Sequence, residues 1–333
     1  MIQRPSRRTV LGAAAAAAIS AAVPIRARAK ETVSFAYLLD PSHDAVVYAM
    51  THGKVKSDLI DVEVKSLAIP ALIQATSARQ FDVVQTAVVA LPRAAEQGLD
   101  LKILSTGLRY HKSGEGADIW VKPDSPLRTA ADLKGKTLGV YAIGSAGITL
   151  VRLALWKKYG LDVALQGGDI NFVELPAPGL PAALATGKID AATLIHSQAY
   201  AAAKSGQFRS IAHTAQDMYE LFGLRMVSAV IAGYPEKLAA RTPAFEEFDR
   251  LLKASVDYAL ANLDEVAEAV GRATDQEPDF FKVWFQRYSD FPAVVTEQDV
   301  NAINKLWELS KELGILKSYP DAASMVWEHA LRA

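Results

Sequence analysis

One layout occurs twice in this chain. Arg79 to Ala95 reads RQFDVVQTAVVALPRAA, and Gly187 to Ala203 reads GKIDAATLIHSQAYAAA. In each, an apolar residue and an Asp (Phe81-Asp82, Ile189-Asp190) open a short strand that runs into small or polar residues. An Ala-rich helix precedes each unit, ALIQATSA in one case and AALAT in the other. Around both, β-type and helix-type runs alternate from Thr32 to about Ile231. TVSFAYL, IDVEVKSL, FDVVQT, LKILSTGL, TLGVYAI, INFVEL, DAATLI and FRSIAH are the short strands, mostly rich in Val, Ile, Leu or Phe. Between them lie segments with apolar residues near every 3.6 positions, such as ITLVRLALWKKYG, which ends in Lys residues and a stop Gly. The alternation predicts an α/β fold with mostly parallel sheets flanked by helices. From Tyr234 onward the pattern is nearly all helical, a C-terminal segment that would pack around an existing lobe.

A chain of 333 residues, half of them hydrophobic, can bury the cores of two lobes. The expected crossings are HKSGEGADIW (His111 to Trp120) and FGLRMVSAV (Phe222 to Val230). Two crossings make one lobe discontinuous: 30–115 plus 226–333 for the first, and 116–225 for the second. Ligands of open α/β sheets bind at the carboxyl ends of strands. The repeated unit therefore predicts a cleft faced by two sets of strand tips.

Residues 1–29 read as an export signal. SRRTVLG precedes an Ala-rich apolar stretch and then ARAK, with small residues at Ala27 and Ala29 for cleavage. The Arg7-Arg8 pair resembles a twin-arginine signal, and a periplasmic location follows; an uncleaved anchor is the alternative. Without these residues, which hold five Arg and no acid, the formal charge of −1 falls to −6. That sign, with no basic run, makes nucleic acid an unsuitable partner. The absence of Cys removes disulfides, thiolate catalysis and Cys-bound metal.

YAIGSAGIT (Tyr141 to Thr149) is a strand, a small-residue turn and a helix start, with Gly144, Ser145 and Ala146 as candidate ligand contacts. Unpaired N–H groups at such a start favour an anion. The plain alternative is that Ser145 only caps and the glycines only turn. In LLDPSHD (Leu38 to Asp44), Ser42 and His43 could face the cleft or serve a helix entry. Thr86 ends one repeated strand, and His196-Ser197 follows the other. Arg109 and Arg225 are the candidate anion anchors, because a guanidinium matches carboxylate or sulfonate with two parallel bonds. The six His show no HxxxH or HxH pair, so no metal site is expected, although His43 and His196 could meet across a cleft. There is no G-x-S-x-G, no H-E-x-x-H and no Walker loop. Trp120, Trp156 and Trp284 fit a core better than a stacking platform.

The phrases PALIQATSARQFDVVQTAVVALPRAAEQGLDLKIL, VKPDSPLRTAADLKGKTLGVYAIGSAG and LPAPGLPAALATGKIDAATL resemble periplasmic solute-binding proteins of ABC importers. The branch is that of nitrate-, taurine- and aliphatic-sulfonate-binding proteins and thiamin-precursor binders. The resemblance implies a type II-like two-lobe fold, no catalysis, no cofactor, a monomer, and a membrane permease as partner. It also implies that the loop at Ser42 and the turn at Ser145 contact the ligand. An aromatic or acidic residue is common in the family near His196, so that position does not carry a ligand identity across. A small organic anion, sulfonate or carboxylate, is the expected solute, with a pyrimidine-type thiamin precursor as the alternative. Enzymes on the same fold, the thiamin-pyrimidine synthases and the deaminases of porphyrin synthesis, rely on Cys, which this chain lacks. A periplasmic sensor module would share the binding event.

Overall fold

The computed structural model describes residues 30–113 and 117–333. The expected export signal and its cleavage site lie outside the described residues. Eleven strands form among them: β1 (Glu31–Leu38), β2 (Ile60–Leu67), β3 (Val83–Ala87), β4 (Lys102–Tyr110), β5 (Asp118–Val121) and β6 (Lys136–Val140). Then follow β7 (Ile170–Glu174), β8 (Ala191–Thr193), β9 (Arg209–His213), β10 (Val227–Gly233) and the two-residue β11 (Ser289–Asp290). They make a six-stranded sheet, β11-β4-β10-β3-β1-β2, and a five-stranded sheet, β7-β6-β8-β5-β9.

The helices of the alternating region are α1 (Pro41–Thr51), α2 (Ile69–Ser77), α3 (Ala90–Glu96), α4 (Ala146–Tyr159), α5 (Leu180–Ala185), α6 (His196–Ser205) and α7 (Thr214–Phe222). The C-terminal set is α8 (Pro235–Ala240), α9 (Thr242–Ala261), α10 (Leu263–Thr274), α11 (Pro278–Val283), α12 (Glu297–Glu312) and α13 (Ala322–Met325). The stop Gly of α4, Gly160, takes φ 68°, a left-handed cap that a Cβ would strain.

All eight expected strands form, and most strands of each sheet point the same way, although both sheets also hold strands that run against the rest. β1 to β4 point one way, and β10 runs against both of its neighbours, β3 and β4. In the second sheet β5 alone opposes the rest. The reason lies in the crossings. Each crossing segment, expected only as a connection, contains a strand that enters its sheet from the other lobe and so runs against the strands already there. The two sheets are thereby laced to each other by β5 and β10.

The repeated unit has a structural cause. Asp82 donates its backbone N–H to Ser34 O and accepts the Ser34 N–H on Oδ2 at 3.1 Å. Asp190 does the same with Thr137, its Oδ2 accepting the N–H at 2.8 Å. Each Asp clips the start of β3 or β8 to the neighbouring strand, β1 or β6. That fixes the register and aims the two strand tips. Two sheets therefore need two copies of the clip.

Helix α9 packs on β1 and β2 of the first sheet, with α1 and α10 against it, and Phe35 on β1 meets Phe248 on α9 edge-on at 5.3 Å. Helix α4 packs on α7 of its own lobe and on α12 and β10 of the other. Among the described residues no helix is long and apolar enough to cross a membrane.

One buried acid sits at odds with its surroundings. Asp249 on α9 is buried; its Oδ2 accepts the Leu331 N–H at 3.4 Å, and its Oδ1 has no hydrogen-bond partner. Burial raises its pKa well above the ordinary carboxylate value, with only the Leu331 N–H and Ser105 opposing. The folded state thus binds a proton that the unfolded state releases near pH 4, and stability falls as pH rises from there. Asp249→Asn, which keeps the shape without the charge, is expected to raise Tm by a few degrees at pH 7. The gain should vanish near pH 4. Thermal melts at the two pH values check it.

Candidate ligand-binding site

A cavity of about 340 Å³ opens between the two sheets. Its walls are the strand tips and the helix starts that follow them. Leu38 to Asp40 and Thr86 to Ala87 come from the first sheet, and Tyr141 with Gly144 to Gly147 and Ile195 to His196 from the second. The cleft expected from the repeat is therefore present.

One part of the wall is polar. Ser145 caps α4, its Oγ accepting the Ile148 N–H at 3.3 Å, while the N–H groups of Ala146 and Gly147 have no acceptor among the described residues. A Cβ added at Gly147 would collide with Tyr141 Oη. The missing side chain lets that hydroxyl lie against the helix start. Burial pushes the pKa of Tyr110 and Tyr141 upward, so both phenols stay protonated and able to donate.

Arg93 completes this end. It projects from α3 of the first lobe toward the turn of the second, and a Cβ at Gly144 would stand 4.0 Å from its Nη1. Its guanidinium has neither a carboxylate within ion-pair distance nor a hydrogen-bond partner among the described residues. Burial lowers its pKa, with Glu96 opposing, yet Arg remains a cation throughout the physiological range. Ile69, Leu72, Ile73, Leu99, Leu101 and Leu108 give the remainder a mostly apolar lining, with Gln85, Gln97 and Ser228 as polar members. Leu39 and Ile73, 57% and 52% exposed, stand in the wall as uncovered apolar surface.

The one carboxylate in the wall, Asp40, is already engaged. It caps α1, Oδ1 accepting the Ser42 N–H at 2.9 Å and the Ser42 hydroxyl at 2.5 Å, and Oδ2 faces His196 Nδ1 at 3.1 Å. Burial would raise its pKa, but His196 and His43 outweigh that and hold it well below the usual carboxylate range. His43 is 1% exposed, and burial lowers its pKa against the pull of Asp40, so its ring is neutral at pH 7. The rings of His43 and His196 stack at 6.0 Å over Trp284, whose ring centre is 5.9 Å from each.

The expected site residues divide cleanly. Thr86, Gly144, Ser145, Ala146 and His196 line the cavity. Ser42 and His43 are buried behind Asp40 and do not reach the wall. Arg109 and Arg225 depart from expectation. Arg109 pairs with Asp290 and Asp299, each at 2.9 Å, and Arg225 pairs with Asp290 at 3.1 Å and donates to Tyr110 O at 2.9 Å. Arg109 is fully engaged, Arg225 Nη2 faces Asp290 as an ion pair without a hydrogen bond, and both hold β4, β11 and the second crossing together outside the cavity. Arg93 is the residue that sequence reasoning missed. Its signal was available, a cation seven positions beyond Thr86 in the helix that starts at the same strand tip.

The lobes meet through Asp40–His196 beside the cavity, through Lys204–Glu277, and through Lys157–Glu312 at 2.6 Å. Exposed ion pairs contribute little net stability. Contact between the lobes therefore rests mainly on their buried side chains.

The fold recurs in solved structures. The periplasmic aliphatic sulphonate binding protein SsuA from Escherichia coli is 16% identical, with a TM-score of 0.71 covering 90% of this chain and 98% of its own. The alkanesulfonate-binding protein SsuA from Xanthomonas axonopodis pv. citri, bound to MOPS, is 18% identical, with a TM-score of 0.69 and coverage of 91% and 98%. Protein AF1704 from Archaeoglobus fulgidus is 22% identical, with a TM-score of 0.69 and coverage of 86% and 98%. At these identities the likeness establishes the fold, that of the periplasmic binding proteins. No curated protein matches the sequence. The family model described as NMT1/THI5 like matches residues 40–266, more than half of the sequence. The chain belongs to the NMT1/THI5-like family.

Proposed function

We propose that this chain is the extracytoplasmic solute-binding component of an ABC importer and that it captures a small organic anion, a sulfonate or a carboxylate. The observation that carries the anion assignment is Arg93, a cation without a carboxylate partner that faces the start of α4 across the cavity. An anion seated there accepts bonds from a guanidinium on one lobe and from helix N–H groups on the other. It thereby favours the closed form over the open one, and that difference in affinity drives closure. The mostly apolar remainder of the cavity suits an alkyl or aryl body on the anion. The resemblance in fold to sulfonate-binding proteins supports the same solute class.

The reading includes two lobes, 30–115 plus 226–333 and 116–225, that swing about the two crossings. It also includes a monomeric state, a permease as partner, no chemistry at the site, and export through the twin-arginine-like signal of residues 1–29. Titration calorimetry against alkyl sulfonates, carboxylates and pyrimidines tests it. Micromolar binding, about −8 kcal/mol, is expected for a member of the first two groups. Binding confined to a cation or to a pyrimidine overturns the anion assignment, and the second outcome would favour a thiamin-precursor binder.

A further inference from the structure

Asp40, His43 and His196 meet where α1 and α6 begin, and the anion reading gives them no task. One ligand-capable atom from each lies within 4.8 Å of the others, and all three residues are buried. Among the described residues no other three His, Asp or Glu are spaced in this way. Asp40 Oδ2 stands 3.1 Å from His196 Nδ1, and Asp40 Oδ1 stands 4.0 Å from His43 Nδ1. Donor atoms around a tetrahedral zinc ion, with bonds of about 2.0–2.1 Å, are roughly 3.3 Å apart. The observed separations straddle that value. His43 Nδ1, the nitrogen nearest Asp40, also lies 3.2 Å from Ser42 Oγ, and its Nε2 is buried without a hydrogen-bond partner.

We propose that Asp40, His43 and His196 form a site for a divalent transition-metal ion of the zinc type, assembled from both lobes. Two imidazole nitrogens and one carboxylate oxygen suit such an ion, whereas calcium or magnesium would require more oxygen donors. The ion replaces the proton that lies between His196 Nδ1 and Asp40, and His43 closes in from the side. Three protein donors leave a fourth position. Asp40 and His196 both line the cavity, so that position opens toward the bound solute. Asp40 and His43 come from the start of α1 and His196 from the start of α6, so the full donor set exists only when the lobes are together. The site stands or falls independently of Arg93.

Untagged protein titrated with Co²⁺, a spectroscopic stand-in for Zn²⁺, is expected to bind one equivalent with the visible absorption of a four-coordinate site, and Zn²⁺ is expected to displace it. His43→Ala and His196→Ala should each weaken binding by more than tenfold, while His329→Ala, at an exposed ion pair with Glu246, should not. Circular dichroism establishes that each variant is folded, and His196→Asn replaces His196→Ala if the latter is not. The absence of a Co²⁺ spectrum, or a spectrum that survives either substitution, overturns the site. Calorimetry of the same samples against the sulfonate panel, with and without chelator, separates that failure from a failure of the anion reading.

Discussion

Arg93→Ala is expected to weaken sulfonate or carboxylate binding by roughly 100-fold or more, with the Tm of the empty protein unchanged or higher. A charge-assisted hydrogen bond is worth about 1.5–3 kcal/mol, and a guanidinium can give an anion two of them. Each 1.4 kcal/mol is tenfold in affinity. The start of α4, at ~0.3–1 kcal/mol, cannot make up the loss. Stability behaves differently. Arg93 is half-buried with no ion-pair partner, so the empty protein bears a desolvation cost that the substitution removes. Arg93→Lys should fall between the two, since it keeps the charge and loses the planar fork. Calorimetry and thermal melts on the three proteins decide the matter. Equal affinity across them would remove Arg93 from the site. A drop in Tm matching the drop in affinity would mark it as a structural residue.

Much of this was legible in the sequence because it is local. Strands β1 to β4, β6 and β7 announce themselves by runs of Val, Ile, Leu and Phe, β8 and β9 by their place in the alternation, and the α4 start by its Gly-Ser-Ala-Gly turn. The Asp82 and Asp190 clips appear as a repeated two-residue phrase. What escaped is what depends on partners distant in sequence. DIWV and VSAVIAG sit in the crossings, and their antiparallel pairing follows from a path between lobes that no local pattern encodes. The three arginines make the point most sharply. Arg93, Arg109 and Arg225 are equal candidates by type, and only the positions of Asp290 and Asp299, about 65 to 190 residues ahead in the chain, determine which two are neutralised. The same holds for His43 and His196, which have no metal-binding spacing in sequence and stack at 6.0 Å in space.

Asp299→Ala should be the most damaging single change outside the aromatic core, costing about 3–5 kcal/mol. Asp299 is 0% exposed and serves two elements at once. Its Oδ1 accepts from Arg109 Nη1 at 2.9 Å, while its Oδ2 accepts the Thr296 N–H at 3.1 Å and the Thr296 hydroxyl at 2.9 Å, closing the capping box of α12. Removal leaves a largely buried guanidinium with Asp290 alone and opens the first turn of a helix that packs on α4 and β10. Loss of the cap adds about 1 kcal/mol to the loss of the pair. Tm is expected to fall by roughly 5–15 °C. Asp299→Asn keeps the volume and part of the cap, and should lose less. Neither variant should change anion affinity in the folded protein, because Arg109 and Asp299 lie outside the cavity wall. A weaker anion affinity with an unchanged melt would put Arg109 back among the ligand contacts and displace Arg93 from that role.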